Sequence, residues 1–158
     1  MKCLYWNIMG ISNSPSKLAL KDFLSQCNPD FYLIVEPWMN HSSFPIPLWN
    51  RLNLKFFVVN NINFSLPNLW CICNCNLDPQ IQSSSDQHVT FTVLIDNILI
   101  SIVVVYASTC HIKRRSLWED ISSCTSSTNI PWCLIGDYNS ILRAHEHKEA
   151  HNPFRTPM

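Results

Sequence analysis

Short apolar runs recur along this sequence, and four of them stop at a single polar side chain. Such runs, bounded by turn-forming residues, are typical of buried β-strands. Loops that follow the ends of rigid strands are where binding and catalytic groups concentrate. The sequence therefore predicts buried strands whose ends carry a functional site. The four polar groups are, in chain order, Asn7, Glu36, Tyr106 and Asp137.

The run that ends at Asp137 carries the most information. Asp137 follows Gly136, and Asn139 lies two residues further along. If the strand continued, residues i and i+2 would lie on one side of the pleat, with the carboxylate beside the carboxamide. Such a pair can bind a hard cation together with a phosphate oxygen. An Asx turn that closes the strand is the alternative interpretation, because Gly, Asp and Asn all form turns.

Composition restricts the possible classes of protein. The chain has 158 residues, 47% of them hydrophobic, so it can bury one core, and we expect a single domain over 1–158. Its formal net charge is zero, which gives no overall electrostatic attraction to nucleic acid. The triplet Lys113-Arg114-Arg115 is a local exception. It would either contact nucleic acid or form the solvated face of a helix.

Eight cysteines raise the question of disulfides or a metal site. Cys71, Cys73 and Cys75 alternate, which in a strand places them on one face, and no Cys-x-x-Cys pair is present to form a zinc site. We expect free thiols and an intracellular, reducing setting, nuclear or cytoplasmic. We expect no secretory signal, because Met1-Lys2 leads directly into a short strand, and the apolar run over 98–105 is too short to cross a membrane.

The predicted elements alternate between strands and helices in a way that favours helices packed outside a sheet. The first helix has Ser14 as its cap and Pro15 at its first position. Asp96-Asn97 suits a two-residue hairpin turn. The elements are a strand over 2–6, a helix from Ser14 to about Cys27, a strand ending at Glu36, a short helix over 48–52, strands over 55–60 and 69–77, a surface turn over 83–86, a hairpin of 88–95 and 98–106, a helix over 110–123, and a strand ending at Asp137.

The ordered set of strand ends resembles the endonuclease/exonuclease/phosphatase superfamily. More narrowly, it resembles the apurinic-type endonuclease domain at the front of plant non-LTR retrotransposon polyproteins, which also encode a reverse transcriptase. The resemblance implies an α/β fold, a four-layer α-β-β-α sandwich that is incomplete at its C-terminus. It is carried by Trp6-Asn7, Glu36-Pro37, Val105-Tyr106-Ala107 and Gly136-Asp137-Tyr138-Asn139, and in its narrower form by Pro67-Asn68-Leu69-Trp70-Cys71, Lys113-Arg114-Arg115, Pro131-Trp132 and Ala144-His145-Glu146-His147.

The resemblance also implies a role for each matching residue. Glu36 would be the ligand of Mg²⁺, with Mn²⁺ as the alternative metal, and Asn7 would lie beside that metal. Asp137 would orient or deprotonate the attacking water, Asn139 would hold a phosphate oxygen, and the Tyr106 phenol would face the scissile phosphate. The implied reaction is metal-dependent nicking of DNA that leaves a 3′ hydroxyl. DNA would be the partner, contacted by Lys113, Arg114 and Arg115.

One part of the family pattern has no counterpart here. The family domain continues to an Asp-x-His motif, which does not occur between Asp137 and Met158. Ser85-Asp86-Gln87-His88 precedes Tyr106 and is not its equivalent, and we do not expect His145 and His147 to be metal ligands. We therefore expect a C-terminally truncated domain, about the N-terminal two-thirds. Two alternatives to an active endonuclease stay open: an inactive remnant with at most weak nucleic-acid binding, and a phosphoesterase of the same superfamily.

Overall fold

The computed structural model describes residues 1–12, 14–43, 49, 52–60, 66–126 and 129–140. These residues form two four-stranded sheets, in the orders β1-β2-β4-β3 and β5-β6-β7-β8, and two α-helices. A 3-10 turn covers His41–Ser43. The elements are β1 (Cys3–Asn7), α1 (Ser14–Cys27), β2 (Phe31–Val35), β3 (Leu54–Val59), β4 (Leu69–Asn74), β5 (Gln80–Ser84), β6 (His88–Ile95), β7 (Ile98–Tyr106), α2 (His111–Ser126) and β8 (Trp132–Asp137).

Each sheet contains one parallel strand pair connected by a helix. β1 and β2 are parallel neighbours that α1 connects in the chain, and Asn7 pairs with Val35. β7 and β8 are parallel neighbours that α2 connects in the chain, and Tyr106 pairs with Asp137. Parallel strands end at the same edge of a sheet, so each β-α-β unit brings two of the predicted strand-end groups together.

In the described residues, three clusters of buried side chains fill the spaces between the layers. The cluster between the sheets is built from alternate residues of β2, β4, β6 and β7, including Phe31, Cys71 and Phe91. The outer face of the first sheet packs on Leu20 of α1. The outer face of the second sheet packs on Leu117 and Ile121 of α2. The chain thus stacks helix, sheet, sheet and helix, and the predicted four-layer α/β sandwich is confirmed.

Several local predictions are confirmed. The hairpin of β6 and β7 has the predicted bounds, with Ile95 paired to Ile98 across Asp96 and Asn97. Both turn residues have positive φ, 50° and 63°, as a type I′ turn requires. All eight cysteines are free thiols, and Cys71 and Cys73 are buried between the sheets. Neither helix in the described ranges has the length and hydrophobicity needed to cross a membrane.

Other local predictions need correction. The turn predicted over 83–86 is wrong for its first half, because Gln80–Ser84 forms the edge strand β5. The polar sequence of β5 contains no apolar run that would predict a strand, and its extended conformation comes from pairing with β6 instead. α2 begins at His111 and continues to Ser126 rather than ending at residue 123. The short helix predicted over 48–52 lies mostly outside the described residues.

Candidate active site

The candidate site is centred on the carboxylate of Glu36, directly after β2. Its oxygen Oε1 accepts a hydrogen bond from Asn7 Nδ2 at 3.0 Å and another from the hydroxyl of Tyr106. Within the described part of the chain, no hydrogen bond reaches the second oxygen, Oε2. The two hydrogen bonds to Oε1 fix the direction of the carboxylate. Because Glu36 is only half-buried, Oε2 is still accessible to a ligand.

The amide of Asn7 is fixed at both ends. While Nδ2 donates to Glu36, Oδ1 accepts the backbone N–H of Met9 at 3.2 Å. The two loops after β1 and β2 are joined as well, because Gly10 N–H donates to the Glu36 carbonyl at 2.8 Å. Asn7 therefore orients the carboxylate, and its own oxygen is occupied by the backbone.

Tyr5 is a site residue that the sequence analysis did not identify. Its hydroxyl donates to the Val105 carbonyl at 3.1 Å and accepts the Asp137 N–H at 3.0 Å. Tyr5 thereby connects β1 of the first sheet to β7 and β8 of the second. A signal was present, since Tyr5 lies two residues before Asn7 and so on the same face of β1. Tyrosine on an inward strand face needs a partner for its hydroxyl.

The two tyrosines at the site, Tyr5 and Tyr106, remain protonated over the physiological pH range. Burial is the main cause that raises the pKa of each phenol above its usual value of 10.0. For Tyr106, the hydrogen bond to Glu36 and the negative charges of Glu36 and Asp137 raise the pKa further. Both hydroxyls therefore act as hydrogen-bond donors, which is how the structure uses them.

The strand geometry does not persist beyond Asp137. Asn139 N–H donates to Asp137 Oδ1 at 2.8 Å, and Asn139 has a φ of +45°, so the Asx turn forms. Asp137 and Asn139 consequently do not share a pleat face. The Asn139 amide turns back instead, and its Nδ2 donates to the Ala107 carbonyl at 2.6 Å. A carboxamide has two N–H groups, and the second one of Asn139 makes no hydrogen bond to any residue that the structure describes.

The basic triplet is divided between two environments. The guanidinium of Arg114 donates through Nη1 to the carbonyls of Ser108, Thr109 and Asn139 at 2.7 to 2.9 Å. Arg114 therefore ties the loop after β7 to the turn after β8. Lys113 and Arg115 are exposed. Lys113 lines a small cavity of about 200 Å³ together with Tyr106, so an exposed cation of the triplet lies beside the site.

The donor set limits which metal the site suits. Among the described residues, no group of three His, Cys, Asp or Glu side chains lies close enough to hold a metal ion. Zinc, which prefers three or four protein ligands of nitrogen or sulfur, does not fit this site. Mg²⁺ fits, because it is commonly held by one or two carboxylates together with waters and substrate phosphates. Glu36, with one oxygen accessible, is such a carboxylate.

A groove of about 650 Å³ runs beside the Asp137 end of β8. It is lined by Asp137, Asn139 and the aromatic pair Trp118 and Tyr138, whose rings stack with centroids 5.9 Å apart. Space of this size is in the range that accommodates a small-molecule or nucleotide-sized ligand.

His88, which belongs to the rejected histidine motif, does not face the site. It is buried at the start of β6, where Nδ1 and Nε2 contact the hydroxyls of Ser85 and Ser83 at 2.8 and 3.1 Å. Burial lowers the pKa of its imidazole. His145, Glu146 and His147 lie outside the described residues.

Some of the predicted site residues contact each other directly, and others are connected through a neighbouring residue. Asn7, Glu36 and Tyr106 are joined by direct hydrogen bonds. Asp137 lies opposite Tyr106 in the parallel pair and is anchored by Tyr5. Asn139 follows through its bond to Asp137.

The fold matches solved structures of nucleases and phosphoesterases. A 3′ phosphatase, NExo from Neisseria, bound to a product DNA hairpin, has a TM-score of 0.63 and 16% identity, over 88% of this chain and 58% of the other. The endonuclease domain of TRAS1, a telomere-specific non-LTR retrotransposon, has a TM-score of 0.66 and 15% identity, over 89% and 61%. D. rerio TDP2, complexed with a single-strand DNA product, has a TM-score of 0.64 and 10% identity, over 89% and 61%.

These matches establish the fold. The predicted fold of the endonuclease/exonuclease/phosphatase superfamily is confirmed. No protein-family model and no curated protein sequence matches the chain. The chain spans about three-fifths of the length of the solved structures it matches.

Proposed function

We propose that this chain is a magnesium-dependent DNA endonuclease of non-LTR retrotransposon origin, which hydrolyses a phosphodiester bond and leaves a 3′ hydroxyl. The observation that supports this most directly is the carboxylate of Glu36, oriented by Asn7 and Tyr106 beside the Asp137 turn. The fold shared with the retrotransposon endonuclease domain supports the same conclusion.

The hydrogen bonds support a separate role for each residue. Glu36 Oε2 would hold the cation, which when bound supplies positive charge to a non-bridging phosphate oxygen. Asp137 has Oδ1 engaged by Asn139, which leaves its other oxygen to orient and deprotonate a water. The second N–H of Asn139 would donate to a phosphate oxygen. The protonated Tyr106 phenol fixes Glu36 and faces the same phosphate.

Conversion of supercoiled plasmid to nicked circles in Mg²⁺ tests the proposal. We expect EDTA to abolish nicking, and Glu36→Gln and Asp137→Asn each to lower its rate at least about 100-fold. Both substitutions keep the side-chain shape while removing the charge. Matched controls are Glu119→Gln and Asp120→Asn, which alter exposed carboxylates on α2 and should nick at the wild-type rate.

The outcome also separates the alternatives. A wild-type chain that is folded by circular dichroism but does not nick would contradict the endonuclease and favour an inactive remnant. The 3′ phosphatase among the structural matches supports one further candidate, a phosphoesterase acting on DNA ends. Release of inorganic phosphate from a 3′-phosphorylated oligonucleotide, without nicking of plasmid, would favour that function.

A further inference from the structure

A large exposed aromatic ring stands two residues after the central carboxylate. Trp38 has 61% of its surface exposed, and Met9, on the neighbouring loop, is exposed as well. Trp118 and Trp132 are the other exposed tryptophans in the described ranges. Trp118 is covered on one face by Tyr138, and Trp132 lies at the far end of β8 from Asp137. Trp38 is therefore the exposed indole on the Glu36 side of the candidate site, whereas Trp118 lines the groove at the Asp137 end.

The backbone holds Trp38 in a conformation that large side chains rarely adopt. Its φ is +52°, in the left-handed region, and Glu36 and Met9 share that region with φ of +53° and +45°. Such conformations persist where surrounding structure enforces them, and they cluster at ligand-binding sites. Here the enforcement is visible, because Ile11 N–H donates to the Pro37 carbonyl at 3.0 Å.

The indole of Trp38 packs against Gly10. A Cβ atom added to Gly10 would lie 2.8 Å from Cε3 of Trp38 and 3.4 Å from Cζ3. The six-membered part of the ring therefore lies against the glycine backbone, at a distance that a larger residue would prevent. The ring is braced on this side by the loop after β1, and most of its surface remains open to solvent.

The charge of the chain makes such a ring useful for binding. With a formal net charge of zero, the protein lacks the general attraction to phosphates on which most nucleic-acid affinity depends. Stacking of a base on an aromatic ring provides affinity that does not depend on charge or sequence. A base within a duplex is already stacked on both faces, so an indole at this position suits an unpaired base.

We propose that Trp38, whose indole packs against Gly10, is a stacking platform for an unpaired base. That base belongs to the nucleic acid whose phosphate lies at Glu36. The inference rests on the proposed function for the identity of the ligand. It assigns to this site a preference for single-stranded or frayed DNA over a closed duplex.

Fluorescence anisotropy of labelled DNA tests the platform. The protein carries Asp137→Asn to prevent cleavage, in Mg²⁺, and the probes are single-stranded oligothymidylate of about a dozen nucleotides and a blunt hairpin duplex. We expect Trp38→Ala to raise the Kd for the single strand about 5- to 100-fold and to change the Kd for the duplex much less. Trp38→Phe should recover most of the affinity, because it restores an aromatic face.

Trp132→Ala is the matched control, since it removes an indole that is 51% exposed and distant from the site, and it should bind like the parent protein. An unchanged Kd for the single strand in Trp38→Ala would overturn the platform, as would an equal loss for both probes or no single-strand binding by the parent. Hydrolysis is measured separately. If wild-type protein fails to cleave DNA while Trp38→Ala still selectively loses the single strand, the platform stands and the hydrolytic function fails.

Discussion

At the scale of single residues, the backbone distinguishes the site from the ordinary turns. Positive φ occurs at Asn28, Asn53, Asp96 and Asn97, residue types that tolerate it, but also at Met9, Glu36 and Trp38, which do not. Each of the latter costs about 1–3 kcal/mol, so three such residues around one carboxylate represent a local cost that the rest of the fold offsets.

Gly136 is the residue whose replacement should be most damaging. A Cβ at this position would lie 2.0 Å from the Val105 carbonyl oxygen, and the Val105 backbone, which is paired to both β6 and β8, cannot move away. We expect Gly136→Ala to lower the free energy of unfolding by more than about 3 kcal/mol, measured by urea denaturation, and to abolish nicking.

Gly10→Ala is the comparison for Gly136→Ala. Its Cβ would meet the ring of Trp38, a side chain that can shift, although the φ of +94° also disfavours alanine. We expect a loss of about 1–2 kcal/mol. Equal losses in the two variants would contradict the assignment of the Gly136 effect to the backbone of β7.

At the scale of elements, the site is made by two β-α-β units, one in each sheet. The first supplies Asn7 and Glu36, and the second supplies Tyr106 and Asp137. Parallel pairing explains how residues distant in sequence reach the same edge within each unit. The hydroxyls of Tyr5 and Tyr106 then join the two units across the sandwich.

Removing the Tyr5 hydroxyl should uncouple the units. Tyr5→Phe removes the two hydrogen bonds that the hydroxyl makes, to the Val105 carbonyl and from the Asp137 N–H, which should cost about 1–3 kcal/mol in urea denaturation. The plasmid-nicking rate should also fall, about tenfold or more, because Asp137 loses its anchor.

The control for this change is Tyr32→Phe. It removes a hydroxyl from the outer face of the first sheet, far from Val105 and Asp137, and should leave the nicking rate unaltered. A Tyr5→Phe protein that nicks like the wild type would show that Asp137 does not depend on the bridge.

At the scale of the whole molecule, the buried layers on the two faces of the first sheet contain groups that resist ionisation. Burial raises the pKa of Tyr5 above 10.0 and the pKa of the Cys71 thiol above 9.0, and it raises the pKa of Tyr32 to about 12. The protonated forms are therefore favoured in the folded state. The stability of the sandwich is linked to pH through these groups.

This linkage predicts a loss of stability in alkali. Below about pH 9 these groups are protonated in both states, and their contribution is fully present. As the pH rises past the ordinary values of 9.0 and 10.0, the unfolded chain releases protons that the folded chain retains, so the free energy of unfolding falls. Guanidinium titrations between about pH 8 and pH 11 measure the fall, which should be shallower above pH 10 in Tyr5→Phe. A constant free energy across this range would contradict the prediction.

The sequence by itself determined seven of the eight strands in the described residues and where most of them end. Apolar runs, the Asp96-Asn97 turn and the Ser14-Pro15 helix start depend on neighbouring residues, so they can be inferred locally. The four strand-end groups were identified for the same reason. The polar edge strand β5 was not, because its order comes from pairing with β6 rather than from its own residues.

Only the tertiary structure decided how those groups are used. The Asx turn reverses Asn139, Arg114 is committed to three backbone carbonyls, and Tyr5 anchors Asp137 across a sequence separation of 132 residues. The Tyr5 bond depends on the distance between strands of different sheets, and the Arg114 bond to the Asn139 carbonyl depends on how α2 packs beside β8, neither of which a local pattern encodes. The Asx turn is local, but the residues alone did not decide between it and a continued strand. The sequence therefore determined the candidate residues and their order, and the packing of the two sheets determined which of them touch.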